Sequence, residues 1–592
     1  MKLSTAFPFV RTAVSSLFEN RRFVLVLLFL AGLFIFSRGL STHGIEYRDD
    51  EIFYYRSTQE MVQSDHVLSP TYFGENRFQK PILFYWLIFL SYKIFGINWF
   101  AARFVSVIFA ALTICFTWLI GEKLFDKKSA TIGSLILMTI PLFFRHAKDA
   151  VPDMTLNFFI VLAFYFALKF IERPEIRMYR YAFFVSCALG FMTKGFAALI
   201  LPVVSLIVYA VAVRKPALLK AANFPLGLMI FAVLVLPWFL YMAWLHGDMY
   251  MNYILKTETY DRLIFTNENN IFLRVTSTFI HNFAFYAVNL FSYFAPWSLF
   301  AVAAIPFAVV RMVKEKKNKG PLIFLVTWFF VVFFFFSLIA ARINHLILVL
   351  TTPFALILSY FFITLPAGAS SLGKISSDFV KFIIASLVFL GLSGLSFLRI
   401  FLLEETALWL AVFVAIFFLL RHFLFRSREP AVVPGVMAFF ILFVFFHIPL
   451  LSKARLVPFA THQAFAEMIQ RDLKEDDIIA VGSNDIHEKE FQVYFTRRVE
   501  KAATNLEEAT KAELRNLFLR KEAVYCLMTQ KDYQYFSKSL PDRLLVLRED
   551  FMVRKRIYPD RALFFALLKL DRNAVKNYFM EKVILIKKNK NA

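Results

Sequence analysis

The sequence predicts a polytopic α-helical membrane protein of about 13 transmembrane helices, followed by a C-terminal soluble α/β domain. Three observations predict it. Hydrophobic residues make up 59% of the 592 positions, and phenylalanine alone occurs 76 times. Apolar stretches of about 18 or more residues recur up to residue 451, and that length crosses a hydrocarbon layer roughly 30 Å thick. From about Ser452 the composition turns polar and mixed. The division is therefore 1–451 for the membrane part and 452–592 for the tail.

The first span starts near Arg22. Its apolar run, Phe23 to Phe36, has basic flanks and lacks a small-residue cleavage site, so it reads as a retained span. Further spans start near Phe100, Ala130, Met154, Arg180, Phe196, Phe224, Phe283, Pro321, Leu346, Phe379, Ala407 and Val432. Basic residues occupy alternate loops: Arg21 and Arg22, Lys127 and Lys128, Arg173 to Arg180, Arg214 to Lys220, and Arg311 to Lys319. Cationic loops stay cytoplasmic. The formal net charge of +23 is thus a topology signal reinforced by anionic membrane lipids, which argues against a nucleic-acid partner. With a cytoplasmic N-terminus, an odd number of spans places the tail on the opposite side.

The connection 41–99 holds two helices lying in the interfacial plane. Asp50 to Gln63 is amphipathic, and Pro81 to Phe95 is apolar but short for a span. In the tail, Asp477 to Val481, Ala523 to Met528 and Val583 to Ile586 read as buried strands, and Thr461 to Leu473 and Asn505 to Arg520 as helices. Leu365 to Lys374 reads as a linker. Cys115, Cys187 and Cys526 form no closely spaced pair, so neither a disulfide framework nor a zinc site is predicted. Asp485, His487 and Glu488 are clustered polar residues of a solvated loop, and no metal is assigned to them.

The candidate chemistry lies at span ends. Asp50 and Glu51, in YRDDEIFYY, read either as a general base beside the membrane or as charge at a helix start. Lys80, in NRFQKPILFYW, reads as a lipid-phosphate contact or as a snorkelling side chain, and Arg77 shares that ambiguity. Asp153 follows Pro152 and opens a span, where capping is the plain alternative. Lys194 and Gly195 interrupt two apolar runs. Arg342 and His345, in ARINHLIL, occupy an equivalent position further on. Under the predicted topology all of these open to one face. Carboxylates and cations together suit transfer of a group from a phosphate leaving group.

The run from Asp50 to about Ile200 resembles bacterial GT-C glycosyltransferases of the ArnT/protein-mannosyltransferase type. Asp50 and Glu51 with Tyr54 look like that family's DExxY motif, and Lys80-Pro81 with Tyr85-Trp86 like its KPPLxYW segment. Pro152-Asp153-Met154 resembles its PDM motif, and Thr193-Lys194-Gly195 its TKG motif. Phe53 departs from the Arg that many aminoarabinose-transferring members carry there, and Arg342 to Leu346 lacks the proline and tyrosine of a KLPxY segment. The resemblance implies a polyprenyl-phosphate-sugar-dependent, inverting glycosyltransferase acting at the periplasmic face of the bacterial inner membrane. Its acceptor would be lipid A or lipopolysaccharide, another glycan, or protein. It further implies catalytic roles for Asp50, Asp153 and Glu51, and phosphate contacts from Lys80, Lys194 and Arg342. Tyr54, Tyr85, Trp86 and His345 would line the substrate pocket, with no cofactor called for. The alternative class is a lipid or glycan transporter or flippase. A transporter places polar residues near the midplane, on broken helices in paired repeats. The span-end position of the ionisable residues favours surface chemistry instead.

Overall fold

The computed structural model describes residues 20–41, 49–260, 271–314, 319–339 and 342–364, scattered positions between 381 and 441, and parts of 460–588. Among these, five helices are long and apolar enough to cross a membrane: Trp99–Leu124, Asp153–Glu172, Ala217–Lys256, Lys319–Leu338 and Asn344–Thr364. The spans expected from Phe379, Ala407 and Val432, the linker 365–374 and most of the expected helix 505–520 lie outside the described residues.

Local chemistry sets the helix starts. Asn20 caps Arg21–Phe36 through the Arg22 amide at 3.0 Å. Asn98 caps Trp99–Leu124 through the Ala101 amide at 2.9 Å. Asp126 caps Lys127–Met138 through the Ser129 amide at 2.8 Å. Each side chain takes up an amide that the first helical turn leaves unpaired.

The spans expected from Arg22, Arg180 and Phe196 are realised as the helices Arg21–Phe36, Arg177–Lys194 and Ala197–Ala212, which are not among those five. Two further expected spans take a different path. The one from Ala130 is realised as Lys127–Met138 and then Pro141–His146. Pro141 lacks an N–H and carries a preset φ, so it opens a new helix instead of extending the old one. The straight span expected from Phe283 is instead Ile271–Tyr293 and Ser298–Lys314, bent by 119°. Pro296 interrupts the chain there, and two side-chain bonds hold the corner: Trp297 Nε1 to Thr139 Oγ1 at 2.9 Å, buried, and Ser298 Oγ to the Phe291 carbonyl at 2.6 Å, partly buried. Helices form over Asp49–Ser64 and Leu83–Phe95, where the two interfacial helices are expected.

Charged side chains mark both ends of the bundle. Arg21 pairs with Glu122 at 3.2 Å, and Lys123 pairs with Glu172. The Asp153–Glu172 helix has 20 residues and is therefore about 30 Å long. Asp153, at its other end, is bound by Lys194. Aromatic packing fills the interior between these poles, with the Phe164 and Trp328 rings stacked at 3.9 Å.

In the tail a five-stranded sheet has the order β4-β3-β5-β7-β6. The strands are β3 (Ile478–Val481), β4 (Glu500–Lys501), β5 (Val524–Thr529), β6 (Leu544–Val553) and β7 (Met580–Lys588), while β1 (Thr71–Tyr72) and β2 (Glu75–Asn76) form a hairpin near the site. β3 runs parallel to β4 and β5, and β7 antiparallel to β5 and β6. Alternation along the strands sends Ile479, Val481, Tyr525, Leu527, Val583 and Leu585 to one apolar cluster. Ala480, Cys526, Met528, Ile584 and Ile586 enter the other.

Candidate functional site

Asp153 opens its helix directly after Pro152. The neighbouring helix, Arg177–Lys194, runs back toward it and ends at Gly195, whose φ of 109° is a conformation that side-chain-bearing residues rarely adopt. That reversal starts the Ala197–Ala212 helix and leaves Lys194 at the end of its own. A Cβ on Gly190 would sit 2.8 Å from Ala198 Cβ and 3.1 Å from Phe159 Cβ, so glycine lets the three helices close up there. Lys194 Nζ then donates to Asp153 Oδ1 at 2.6 Å. His345, on the 3-10 turn Asn344–Leu350, brings Nε2 to 3.4 Å from both Asp153 Oδ1 and Lys194 Nζ. The His146 ring lies 5.5 Å from the His345 ring.

These three residues and Lys80 line one cavity of about 390 Å³. The rest of its wall is mainly apolar, including Phe191, Trp238, Phe239, Phe335 and Ile339. Lys80 Nζ donates to the Gln79 carbonyl at 2.8 Å. The segment carrying Lys80 is fastened to the Phe224–Asn252 helix: Trp238 Nε1 donates to the Leu68 carbonyl at 2.9 Å, Ser69 Oγ lies 2.8 Å from His246 Nε2, and Phe78 packs on His246 and Tyr250. Trp238 was not anticipated from sequence. Its place in an apolar run looks like packing until the partner carbonyl is known.

Asp50 is exposed near the start of Asp49–Ser64 and is not among the cavity-lining residues. Tyr54, one turn on, is buried, and of the expected pocket residues only His345 is among the lining residues, while Tyr54, Tyr85 and Trp86 are not. Burial first, then the Tyr85 phenol, hold the Tyr54 hydroxyl well above the usual tyrosine range; Arg77 opposes this, and the carboxylates of Asp50 and Asp153 add to it. The phenol therefore stays neutral. Tyr85 is also buried, 5.1 Å from the Tyr54 ring, and accepts a hydrogen bond from Arg77. Trp86, one residue further round its helix, is 37% exposed and donates to the Val67 carbonyl at 2.7 Å. Arg342 is exposed, donates to Asn282 Oδ1 at 2.8 Å, and is not among the lining residues, although its neighbour Ile343 is.

Glu51 points the other way from its neighbour Asp50. It is fully buried, and its carboxylate takes Arg103 Nε at 3.0 Å and Nη2 at 2.9 Å. It also accepts the Ala150 amide at 2.5 Å, three residues before Asp153. Arg103 Nη1 donates to the Leu40 carbonyl at 3.0 Å, and Ser106 Oγ to the Asp149 carbonyl at 2.6 Å. One ion pair therefore ties the Asp50 helix, a membrane span and the loop leading to Asp153. Both oxygens of Glu51 are committed to this clasp. Arg103 was missed, although a single charge in the apolar run Phe100 to Gly121 is itself a signal of a buried partner.

Among the described residues no group of three His, Cys, Asp or Glu side chains is placed to hold a metal ion. Asp485, His487 and Glu488 lie outside them.

The fold is the polytopic membrane fold of the GT-C type. The crystal structure of ArnT from Cupriavidus metallidurans bound to undecaprenyl phosphate superposes with a TM-score of 0.64 at 17% identity, over 95% of this chain and 97% of that one. Residues 79–241 match the family described as dolichyl-phosphate-mannose-protein mannosyltransferase. An uncharacterised protein of Aquifex aeolicus is 28% identical over 55% of this chain and 60% of its own. An undecaprenyl phosphate-alpha-4-amino-4-deoxy-L-arabinose arabinosyl transferase of Pseudomonas fluorescens is 27% identical over 56% of each. The chain thus spans rather more than half the length of these curated relatives. The ArnT/protein-mannosyltransferase resemblance carried by the motifs is found again by sequence and by fold.

Proposed function

We propose that the protein is a membrane glycosyltransferase that moves a sugar from a polyprenyl-phosphate carrier to an envelope acceptor at the periplasmic face. The observation that carries this reading is the single cavity in which Lys80, Lys194, Asp153 and His345 meet against an apolar wall. Cations suit the carrier phosphate, and the aromatic wall suits its isoprenoid chain. The arabinosyl transferase of Pseudomonas fluorescens acts, by its name, on an undecaprenyl-phosphate sugar, which supports the same class of donor here.

In this reading an acceptor hydroxyl attacks the anomeric carbon. Its proton passes to the Asp50 carboxylate, the bond from that carbon to the phosphate oxygen breaks, and polyprenyl phosphate leaves with the electron pair. The configuration inverts because attack and departure occur on opposite faces. Lys80 and Lys194 hold the leaving phosphate. Arg342 contributes at the rim, outside the cavity. Asp153, fixed by Lys194 and His345, orients the sugar, while Tyr54 and Tyr85 contact substrate on the Asp50 side. Trp86 acts at the membrane surface. Glu51 positions Asp50 through its clasp.

The same reading has thirteen crossings, a cytoplasmic N-terminus, a membrane domain 1–451 and a periplasmic soluble α/β domain 452–592. Comparing envelope glycolipids and glycoproteins of wild-type and deletion cells by mass spectrometry, with Asp50→Asn as the inactive control, tests the function. A missing sugar restored by the wild-type chain but not by the variant supports it. Full restoration by Asp50→Asn removes Asp50 from the chemistry.

A further inference from the structure

Arg77 has no part in the reaction just described, yet its setting is unusual. It lies three residues before Lys80, between β2 and the Leu83–Phe95 helix, and is only 8% exposed. A buried guanidinium is ordinarily met by a carboxylate, because its desolvation is costly. Among the described residues no carboxylate lies within ion-pair distance of it. Its Nε donates to Tyr85 Oη at 3.0 Å, and its guanidinium carbon sits 4.2 Å from the Phe53 ring centroid and 5.7 Å from that of Tyr54. Ring faces and one neutral phenol hold a cation in place but do not neutralise it. Among the described residues neither Nη group has a hydrogen-bond partner, and neither is sealed from solvent. A guanidinium gripped at Nε and open at both Nη groups presents a two-pronged, end-on site for an anion.

Its position says which anion. Phe53 and Tyr54 lie three and four residues after Asp50, on the same helix face. Phe78, Gln79 and Lys80, which follow Arg77, line the cavity. Arg77 therefore bridges the Asp50 face and the cavity wall.

We propose that Arg77 recognises an anionic group, a phosphate monoester or carboxylate, on the substrate that approaches Asp50, at a site separate from the carrier phosphate held by Lys80 and Lys194. The proposal rests on the donor and acceptor assignment above. Phe53 completes the site by offering a flat face that fixes the guanidinium plane.

The test uses the full chain in phosphatidylcholine nanodiscs, with undecaprenyl phosphate and inorganic phosphate as probes. Inorganic phosphate is titrated onto protein saturated with undecaprenyl phosphate, and separately onto K80A. Wild type shows saturable phosphate binding in both settings. R77Q weakens it at least about tenfold, as expected for loss of a charged hydrogen bond, and R77K weakens it less. Undecaprenyl phosphate affinity stays within about twofold in R77Q and falls in K80A. Equal phosphate binding by wild type and R77Q overturns the proposal, as does a loss of undecaprenyl phosphate affinity in R77Q matching that of K80A. If R77Q does not fold, R77K decides, because it keeps charge and stem but loses the fork. Failure of the wild type to bind undecaprenyl phosphate overturns the carrier reading instead, and the K80A arm still reports on Arg77.

Discussion

Breaking the Glu51–Arg103 clasp should destabilise the protein strongly, and removing both partners should cost less than either single change implies. Glu51→Gln retains volume and one acceptor oxygen but leaves the Arg103 side chain, 5% exposed, without an anion. Three hydrogen bonds end on the Glu51 carboxylate, two of them from a charged donor. Loss of one partner of such a buried pair costs about 3–5 kcal/mol. Arg103→Met strands Glu51 and should cost a similar amount. In the double variant no buried charge remains uncompensated, so the combined loss should fall at least about 2 kcal/mol short of the sum. Unfolding in mixed micelles of dodecyl maltoside and SDS, followed by tryptophan fluorescence, gives the four corners of the cycle. Additive losses, or a cost below about 1 kcal/mol for Glu51→Gln, would refute the clasp, since the effect would then match an exposed pair.

Lys80→Ala should raise the concentration of polyprenyl-phosphate sugar needed for half-maximal transfer about tenfold, the scale of one charged hydrogen bond; an unchanged requirement returns Lys80 to the snorkelling class. Gly195→Ala should lower stability by about 1–3 kcal/mol, because φ of 109° strains any side-chain-bearing residue; an unshifted unfolding midpoint contradicts that account of the turn. Tyr54 binds its proton more tightly folded than unfolded, so its contribution is complete below the ordinary value of 10.0 and is lost as pH rises beyond it. Alkaline unfolding of Tyr54→Phe should therefore be shallower above about pH 10 than that of wild type, and superimposable curves would count against burial as the cause. The Cys526 thiol, raised by burial, should resist maleimide until the tail unfolds, and rapid labelling of the native protein would place it elsewhere.

The site was legible where a motif coincides with a helix terminus. Asp153, Lys194 and His345 each stand where an apolar run stops, and ends of neighbouring helices at one pole of a bundle are bound to meet. Lys80 joined them because Phe78, two residues before it, packs on His246 and Tyr250. What the sequence hid were partners. Nothing in DDE separates an exposed Asp50 from a buried Glu51 until Arg103 and Ala150 are placed, since adjacent residues on a helix face directions about 100° apart. The same rotation puts Tyr85 inside and Trp86 at the surface. The corner at Pro296 was obscured by apolar residues on both sides, which keep the hydropathy continuous while the backbone turns. In the tail, the buried strands were readable as apolar runs, but their order is set by pairing between distant segments.

The most direct test is a structure of the full chain in nanodiscs with undecaprenyl phosphate. The account predicts the phosphate within hydrogen-bond distance of Lys80 or Lys194, the isoprenoid along Trp238 and Phe239, and Asp50 facing the same opening. A carrier bound on another surface, with this cavity vacant at saturating ligand, would contradict it.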